Sequence, residues 1–471
     1  MFMRKRKKLN ISAIEVLDFA AEGKCMTKVD GQVVFINGTD VAPGDVVDLE
    51  VVFSKKKFAE GRVLRVISKG DIRQDAFCAH FGVCGGCKWQ HIPYDIQKNQ
   101  KWRQVQDQLV RIGHLPIPEM KPILGSEKTQ YYRNKLEFTF SASRWLTADE
   151  VATGEVFNQE VIGFHVPRRF DKVFPIDHCY LQPDPSNAIR LFLRDFAHQS
   201  GWPFYDHVAH EGFFRNVMIR TTTTGEVMVV IQFARPIQDQ IDLTCAALVA
   251  AFPNITSLNY FINSKRNDSY QDLDPICFHG RPYIEESMEG LIFRIGVKSF
   301  YQTNPEQAYE LYKITRDLAE IQSTDLVYDL YTGTGTIANF VARQARQVIG
   351  VEYVPEAIED AKINAQINGI TNTLFFAGDM KKVLDAQFVA THGQPDVLIT
   401  DPPRAGMDKE VIDVIRLAKP HRIVYVSCNA ATQARDLALL MDEYQIDVVQ
   451  PVDMFPHTHH VENVVRLTRK A

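Results

Sequence analysis

The segment Asp329-Leu330-Tyr331-Thr332-Gly333-Thr334-Gly335-Thr336 decides the fold of the C-terminal part of the chain. It follows a short apolar stretch and precedes a helical one, and its two glycines let the backbone turn sharply and approach a ligand. The next apolar stretch ends at Glu352, about 20 residues further on, where a carboxylate can accept hydrogen bonds from ribose hydroxyls. This order of features is typical of the adenosine-binding site of open α/β sheets.

The loop contains Gly-x-Gly without the third glycine of the dinucleotide-binding motif. S-adenosylmethionine has no pyrophosphate to cradle, so the pattern favours this donor over a nicotinamide dinucleotide. We therefore expect Gly333, Gly335 and Glu352 to bind S-adenosylmethionine; the alternative is that the glycines only shape a turn. Asp379 ends the next predicted strand, and it either lies near the adenine or caps a helix.

Outward from this loop, the chain divides into three predicted units. From about Pro305, short apolar strands (326–330, 348–351, 397–400 and 423–426) alternate with helical segments, which predicts a parallel, doubly wound sheet. The first 65 or so residues predict strands at 33–36, 46–53 and 58–66, typical of a small, OB-like β-barrel. Between them, strands at 135–140, 217–222 and 227–231 and a helix at 187–198 predict an α+β region. We expect domains at residues 1–67, 68–285 and 286–471, with a helix at about 94–112 able to pack on the last.

Bulk composition excludes some classes of protein. The chain is 45% hydrophobic and 24% charged, with a formal net charge of -5, and it has no apolar run near the ~18 residues that span a bilayer. The basic stretch Arg4–Lys8 is not followed by the apolar region of a secretory signal, so we expect a cytoplasmic protein with no membrane association and no obligate protein partner. Arg4–Lys8 and Lys55–Lys57 are either phosphate contacts or solvated charged segments.

Two motifs follow later strands at the edge where ligands bind in such sheets. In Asp401-Pro402-Pro403-Arg404-Ala405-Gly406 the two prolines stiffen the loop and hold Asp401 in a fixed direction. In Ser427-Cys428-Asn429 the cysteine lies close to the start of a predicted helix, which is expected to lower its pKa and favour the nucleophilic thiolate. The alternative is that Cys428 is a buried structural thiol.

A thiolate at this position suits one reaction well. Carbon 5 of uracil is a poor nucleophile until a group adds to carbon 6, and the C5 proton must later be removed by a general base. The segment 457–462, which precedes the predicted strand 464–467, supplies Glu462 and the imidazoles of His457, His459 and His460. Glu462 is either that base or an ordinary surface carboxylate.

Together these motifs resemble the RNA uracil-C5 methyltransferase family, bacterial members of which modify ribosomal or transfer RNA, and the likeness spans nearly the whole chain. The matching segments are Phe300-Tyr301-Gln302-Thr303-Asn304, Asp401–Gly406, Tyr425–Asn429 and His457–Glu462. The resemblance implies an S-adenosylmethionine-dependent enzyme that methylates a looped-out uridine. It implies 23S ribosomal RNA as the substrate, with transfer RNA as the alternative. The N-terminal unit resembles the TRAM barrel, which binds RNA.

The resemblance also assigns roles. Cys428 is implied as the nucleophile, Glu462 as the general base and Asp401 as a group that orients the base. Contacts to the donor or the uracil are implied for Gln302, Tyr331, Glu352 and Asp401. The roles of His457, His459 and His460 are open, with structural or RNA-facing roles favoured over catalysis.

Three of the eight cysteines, Cys78, Cys84 and Cys87, cluster in the sequence, and clustered soft thiolates favour iron–sulfur or zinc. Together with Cys179, much later in the chain, they resemble the four-cysteine site that holds a [4Fe–4S] cluster in many family members. The resemblance thus implies Cys179 as the fourth ligand, and zinc is the alternative. We expect a structural or RNA-positioning role rather than electron transfer.

Two other functions are compatible with parts of the pattern. Asp-Pro-Pro resembles the loop of exocyclic-amine methyltransferases, but Arg404 stands where those enzymes have an aromatic residue, and they need no cysteine. A non-catalytic RNA-binding or folding factor is the second alternative, and the intact donor loop with Cys428 and Glu462 argues against it.

Overall fold

The computed structural model describes residues 9–38 and 40–471. The N-terminal unit consists of β1 (Leu9–Glu15), β2 (Asp18–Phe19), β3 (Cys25–Val29), β4 (Gln32–Asn37), β5 (Val46–Ser54) and β6 (Phe58–Ser68), with a 3-10 turn at Ala21–Gly23. These strands form one sheet in the order β1-β5-β6-β4-β3-β2. Its core contains Val34, Ile36, Val47 and Leu49, which alternate along β4 and β5 because successive side chains of a strand point to opposite faces. The basic stretch Arg4–Lys8 lies outside the described residues.

The helix α1 (Tyr94–Arg111) follows the cysteine-rich loops and packs on the C-terminal unit. Its buried residues, Gln97, Lys101, Val105 and Leu109, are spaced by four and therefore share one face. Val105 and Leu109 belong to a hydrophobic core shared with residues of the C-terminal sheet. The Nζ atom of Lys101 lies 2.6 Å from Oδ1 of Asp453, and neither side chain is exposed.

The central unit is built on a second sheet. Its elements are β7 (Lys135–Ser141), α2 (Ala148–Thr153), β8 (Val161–His165), β9 (Val173–Pro175), α3 (Ser186–Ser200), β10 (Phe214–Thr221), β11 (Val227–Phe233), α4 (Gln238–Ala251), β12 (Ser257–Ile262) and β13 (Ile276–Gly280). The strand order is β13-β12-β11-β10-β7-β8-β9. Only the β11–β12 pair of this sheet is parallel among the described residues, and α4 makes the crossover that a parallel pair needs.

The hairpin of β14 (Tyr283–Met288) and β15 (Leu291–Gly296) leads into the C-terminal unit. The remaining elements are α5 (Pro305–Ala319), β16 (Leu326–Leu330), α6 (Thr336–Val341), a 3-10 turn (Ala342–Gln344), β17 (Gln347–Glu352), α7 (Pro355–Ile367), β18 (Thr373–Ala377), α8 (Met380–Val383), α9 (Ala386–His392), β19 (Val397–Thr400), α10 (Lys409–Ala418), β20 (Arg422–Ser427), α11 (Ala430–Ala438), β21 (Tyr444–Val452) and β22 (Glu462–Arg469). The hairpin packs on α7, because the backbone N–H groups of Ile292 and Arg294 donate to Asn368 and Asn364.

The C-terminal sheet has the strand order β18-β17-β16-β19-β20-β22-β21. The pairs from β18 to β20 are parallel, and β22 is antiparallel to both of its neighbours. Chain order reverses between β16 and β19, so the crevice beyond the carboxyl ends of these strands is the expected ligand site. The predicted doubly wound α/β sheet is confirmed. Among the described residues, the helices are all too short or too polar to cross a membrane.

Candidate active site

The predicted site residues meet at the carboxyl edge of the C-terminal sheet. In the strand register Leu330 pairs with Thr400, and Thr400 pairs with Tyr425. The segments that follow β16, β19 and β20 therefore emerge side by side at this edge. They carry Tyr331, Asp401 and Cys428, respectively.

Cys428 and Glu462 are brought together by an antiparallel pair. Ser427, the last residue of β20, pairs with Asn463 of β22. Cys428 follows Ser427 and Glu462 precedes Asn463, so both lie at the same end of the strand pair. Cys428 is half-buried and Glu462 is only 5% exposed. The alternative in which Glu462 is a surface carboxylate is therefore wrong.

The pKa of Cys428 departs from the sequence expectation. Burial and the nearby carboxyl groups of Glu462 and Asp401 together raise this pKa to about 11, and the Arg404 guanidinium partly offsets them by charge and by hydrogen bonding. The helix α11 does begin two residues later, after its N-cap Asn429. The expected lowering of the thiol pKa is nevertheless wrong for the free protein, because desolvation and two neighbouring acids outweigh the helix terminus.

Two acids, Glu462 and Asp401, lie near this thiol, and Asp329 lies near Asp401. Burial raises the pKa of Asp401 to about 7, with Asp329 adding to the shift, and raises that of Glu462 to about 8, with Asp401 adding. Burial also raises the pKa of Asp329 to about 7. Its Oδ2 accepts from Thr332 at 2.5 Å, whereas its buried Oδ1 has no hydrogen-bond partner among the described residues. A cationic ligand in this crevice would stabilise the ionised acids, and the sulfonium of S-adenosylmethionine carries such a charge.

Sequence reasoning did not assign a role to Asp329 or to Tyr312 of α5. Tyr312 is buried, and burial together with the charges of Asp401, Glu462 and Asp329 raises its pKa. Its helical position gave no signal, because a tyrosine on a buried helix face is indistinguishable in sequence from an ordinary core residue. Asp329 could have been found, since an acid in an otherwise apolar strand before a glycine loop is a buried charge.

The glycine loop has the geometry of a ligand cradle. Tyr331, Gly333 and Gly335 all have positive φ, at 62°, 56° and 73°. A Cβ atom on Gly335 would lie 2.8 Å from Cβ of Ala361, so this glycine allows the loop to pack on α7. A Cβ on Gly333 would meet nothing within 4 Å, so this glycine faces open space. Glu352 secures the loop, because its Oε2 accepts from Gly333 N at 3.1 Å and its Oε1 from Val354 N at 3.0 Å.

Two further predicted donor contacts have structural partners. Asp379 caps α8 by accepting from Lys381 N at 3.2 Å, so the helix-cap alternative is confirmed. Burial raises the pKa of Tyr331, and Asp379 is one of several acids whose charges add to that shift. Gln302 lies in the segment before α5, and its carbonyl accepts from Nδ2 of Asn134 in the central unit at 3.3 Å.

The three histidines near Glu462 are neutral residues of the domain junction. Burial lowers the pKa of His457 to about 4, of His459 to about 3 and of His460 to about 4. The backbone N–H of His457 donates to Gln97 of α1 at 2.8 Å, and its carbonyl accepts from Lys88 and Trp89. His457 therefore connects the cysteine-rich loop and α1 to the segment that carries Glu462.

The four predicted metal ligands line one cavity. Cys78, Cys84, Cys87 and Cys179 surround it together with apolar side chains such as Phe81 and Ile176. Burial raises the pKa of Cys87 to about 12 and that of Cys179 to about 11, and neighbouring cysteines add to both shifts. Within residues 9–38 and 40–471, the ligand atoms that converge to within 4.8 Å are those of His165, His207 and Asp268, and no such set includes these cysteines.

Substituting Gly333 with alanine tests the donor loop. Positive φ costs an alanine roughly 1 kcal/mol, and the new methyl group would occupy the open space where a ligand approaches. We expect the Kd for S-adenosylmethionine to rise by about tenfold or more, measured by calorimetry. Gly369→Ala is the matched control, because Gly369 also has positive φ (62°) and open surroundings but lies after α7. Equal donor affinity in both variants would contradict this role.

Comparison with known proteins agrees with this geometry. Residues 205–470 match the profile of the tRNA (uracil-5-)-methyltransferase family, and residues 11–64 match the TRAM domain. A Porphyromonas gingivalis protein named as an uncharacterized RNA methyltransferase is 56% identical over 465 residues, 97% of this chain and 99% of that protein. A Bacteroides thetaiotaomicron protein of the same name is 56% identical over 452 residues, 95% and 99%.

A solved structure shares the whole architecture. It is the crystal structure of Pyrococcus abyssi tRNA (uracil-54, C5)-methyltransferase in complex with S-adenosyl-L-homocysteine. It is 26% identical, with a TM-score of 0.75 over 97% of this chain and 100% of that one. The fold and crevice are thus those of a methyltransferase whose N-terminal sheet is a TRAM domain. This chain belongs to the tRNA (uracil-5-)-methyltransferase family and is an RNA methyltransferase.

Proposed function

We propose that this protein transfers the methyl group of S-adenosylmethionine to carbon 5 of a uridine in RNA, with Cys428 as the covalent nucleophile. The observation that carries the proposal is the register of β20 and β22, which sets Cys428 and Glu462 at one end of a strand pair beside the donor loop. An exocyclic-amine methyltransferase has no use for this pair. A binding factor has no use for the buried acids around it.

We assign donor binding to the loop and the residues at its sides: Gln302, Tyr331, Gly333, Gly335, Glu352, Asp379 and Asp401. Glu352 is held by the backbone of Gly333 and Val354 and is available to the ribose hydroxyls. When bound, S-adenosylmethionine supplies an electrophilic methyl group on a positively charged sulfur. Asp329 and Asp401 are the acids that this charge would keep ionised.

The protein's own residues then carry out the reaction on the uracil. The Cys428 thiolate adds to C6, and the electron pair of the C5–C6 double bond moves to C5, which bonds to the methyl carbon as the S–CH₃ bond breaks. Glu462 takes the proton from C5, the C5–C6 double bond re-forms, and the C6–S bond breaks to release the thiolate. Arg404 stabilises the thiolate, and Asp401 orients the base.

The pKa of Glu462 sets the expected pH dependence. This pKa is raised to about 8, so the carboxylate that acts as base is gained as pH rises through about 8. The Cys428 thiolate is also favoured at higher pH. We expect kcat/KM to increase between about pH 6 and pH 8, by up to roughly tenfold per unit, because kcat/KM reports the pKa values of the free enzyme. Steady-state kinetics with RNA and donor below saturation measure it, and a flat or falling profile in a protein that stays folded would contradict it.

For the RNA we propose 23S ribosomal RNA, with transfer RNA as the alternative that the name of the Pyrococcus enzyme raises. Supplying the protein and labelled S-adenosylmethionine with unmodified 23S rRNA and unmodified transfer RNA separates the two. Mapping 5-methyluridine by mass spectrometry in RNA from cells with and without the gene then locates the site. Label in transfer RNA alone would overturn the ribosomal assignment without affecting the chemistry.

We propose that residues 1–67 bind RNA, that residues 68–285 hold the cysteine site and that residues 286–471 bind the donor. The last boundary falls within β14, whose hairpin partner β15 contacts α7 of the donor-binding unit. Lys55, Lys56 and Lys57 support the first assignment. All three are exposed in the turn between β5 and β6, and the ammonium of Lys55 lies 5.5 Å from the centre of the Phe53 ring.

Changing Lys55, Lys56 and Lys57 together to glutamine should weaken RNA binding. The slope of log affinity against log salt is negative, and each lost phosphate contact reduces its magnitude by roughly 0.7 to 0.9. We expect the magnitude of the slope to decrease by about 2 and the affinity at low salt to decrease by roughly 10-fold or more. Fluorescence anisotropy over a salt series measures both. Lys362→Gln is the control, because Lys362 pairs with Glu359 on α7, and an unchanged slope in the triple variant would show that the turn does not contact phosphate.

We also propose that Cys78, Cys84, Cys87 and Cys179 hold a [4Fe–4S] cluster, with a zinc ion as the alternative. A soft, fully thiolate ligand set suits either, and the four cysteines line one cavity. The hydrogen bonds from Lys88 and Trp89 to the His457 carbonyl connect this loop to the Glu462 segment, which supports a positioning role. Iron and acid-labile sulfide, measured in protein purified without oxygen, distinguish the cluster from zinc.

A further inference from the structure

A second group of ligand side chains lies in the central unit, outside the cysteine site and the active site. His165 ends β8, His207 lies in the segment between α3 and β10, and Asp268 lies between β12 and β13. One ring nitrogen of each histidine and one carboxylate oxygen all lie within 4.8 Å of one another. The two imidazole rings meet edge to face, with centroids 5.0 Å apart. Three segments distant in sequence thus direct N, N and O donors to one point.

The buried histidine of this group lacks the partners that a neutral imidazole needs. His207 is only 8% exposed, and neither Nδ1 nor Nε2 has a hydrogen-bond partner among the described residues. Nδ1 of His165 is also without one within that part of the chain. A neutral ring carries one donor and one acceptor, and buried polar atoms are almost always satisfied. Within the described part of the chain, both nitrogens of His207 are therefore available to a ligand, beside another histidine and a carboxylate.

Asp268 is held in place as metal-binding carboxylates are. Nε of Arg215 donates to its Oδ1 at 2.9 Å, which leaves Oδ2 available. Arg215 is itself fixed, because Nη1 donates to the carbonyls of Asn263 and Lys265 and the guanidinium lies 4.3 Å from the Tyr205 ring centre. Such outer contacts fix the direction of a ligating side chain.

We propose that His165, His207 and Asp268 bind a divalent transition-metal ion of the zinc class. Two imidazoles and one carboxylate match the preferences of zinc and its neighbours, and with three protein ligands a fourth position remains for water. Bonds of about 2.0–2.2 Å bring ligand atoms closer together than 4.8 Å, so metal binding would draw these three side chains inward. The metal would join the end of β8 to the connection between α3 and β10 and to the connection between β12 and β13. This structural role is independent of the proposed methyl transfer.

Cobalt(II) and zinc binding to the full-length protein tests the proposal. Wild type, His207→Ala, Asp268→Asn and the control His279→Ala, an exposed histidine on β13, are purified with their cysteine site occupied and dialysed against chelator. We expect wild type and His279→Ala to bind one equivalent of cobalt with d–d absorption and without thiolate-to-cobalt charge-transfer bands. Zinc should displace the cobalt and raise the Tm.

The two ligand variants should lose this equivalent or bind it at least tenfold more weakly. Asp268→Asn keeps the shape of the side chain, so it serves if His207→Ala fails to fold. Equal cobalt affinity in all four proteins would overturn the proposal, as would no binding to wild type at micromolar metal. Charge-transfer bands in every protein would assign the bound ion to the cysteines and overturn it equally. In those cases Arg215, Asp268 and the histidines form a metal-free polar network.

Discussion

Replacing Cys428 with alanine is expected to reduce methyl transfer to RNA by about 10⁴-fold or more, the scale on which loss of a covalent nucleophile acts. Without the sulfur nothing adds to C6, and C5 stays too weak a nucleophile to attack the donor. The side chain is half-buried at the edge of the sheet, so its loss leaves the fold and the donor loop in place. Single-turnover incorporation of labelled methyl groups, with saturating protein, measures the effect on the chemical steps.

Two controls make this result specific to Cys428. The Kd for S-adenosylmethionine should be unchanged, because the donor loop follows a different strand. Cys277→Ala removes an exposed cysteine of the central unit and should leave activity at the wild-type level. Retained activity in Cys428→Ala would instead favour methylation of an exocyclic amine, which needs no thiol.

Changing Glu462 to glutamine is expected to separate methyl transfer from product release. The methyl group should still reach C5, but the C5 proton would have no base to accept it, and the C6–S bond would persist. Turnover should fall by roughly 10²- to 10⁴-fold, the usual contribution of a positioned general base. A covalent protein–RNA complex should accumulate, visible as a slow band on a denaturing gel that contains labelled methyl groups.

The substitution keeps the shape of a side chain that is 5% exposed. Glu410→Gln on α10 is the matched control, because Glu410 is exposed; it should form no such complex. Burial raises the pKa of Glu462 to about 8. The protonated carboxyl therefore favours the folded state at low pH, and this contribution to the free energy of unfolding is lost as pH rises through about 8. Glu462→Gln should therefore be at least as stable as wild type at pH 8. Release of 5-methyluridine by Glu462→Gln at the wild-type rate would exclude Glu462 as the base.

Elements with a strong local signal were predicted correctly. The strands around the glycine loop are set by short apolar runs, and the structure has them at Leu326–Leu330 and Val397–Thr400, as expected. The predicted helix 94–112 is observed at Tyr94–Arg111. The shared location of Asp401 and Cys428 was also predicted from the parallel topology alone, because the carboxyl ends of parallel strands lie at the same edge of a sheet.

Properties set by the folded environment could not be predicted. The helix terminus next to Cys428 is visible in sequence, but the burial and neighbouring acids that raise its pKa depend on the register of β20 and β22. The contact of Lys101 with Asp453 joins residues 352 positions apart. The convergence of His165, His207 and Asp268 depends in the same way on three connections whose paths carry no local pattern.

RNA containing 5-fluorouridine at the target position tests the central chemistry most directly. Fluorine at C5 cannot be removed as a proton, so the reaction should stop after methyl transfer with the ring still bonded to the protein. Incubation with S-adenosylmethionine, followed by protease and nuclease digestion and mass spectrometry, identifies the modified peptide. We predict one adduct, a methylated fluorouridine attached to Sγ of Cys428. An adduct on another residue, or methylation of natural RNA with no adduct on its fluorinated form, would contradict the account.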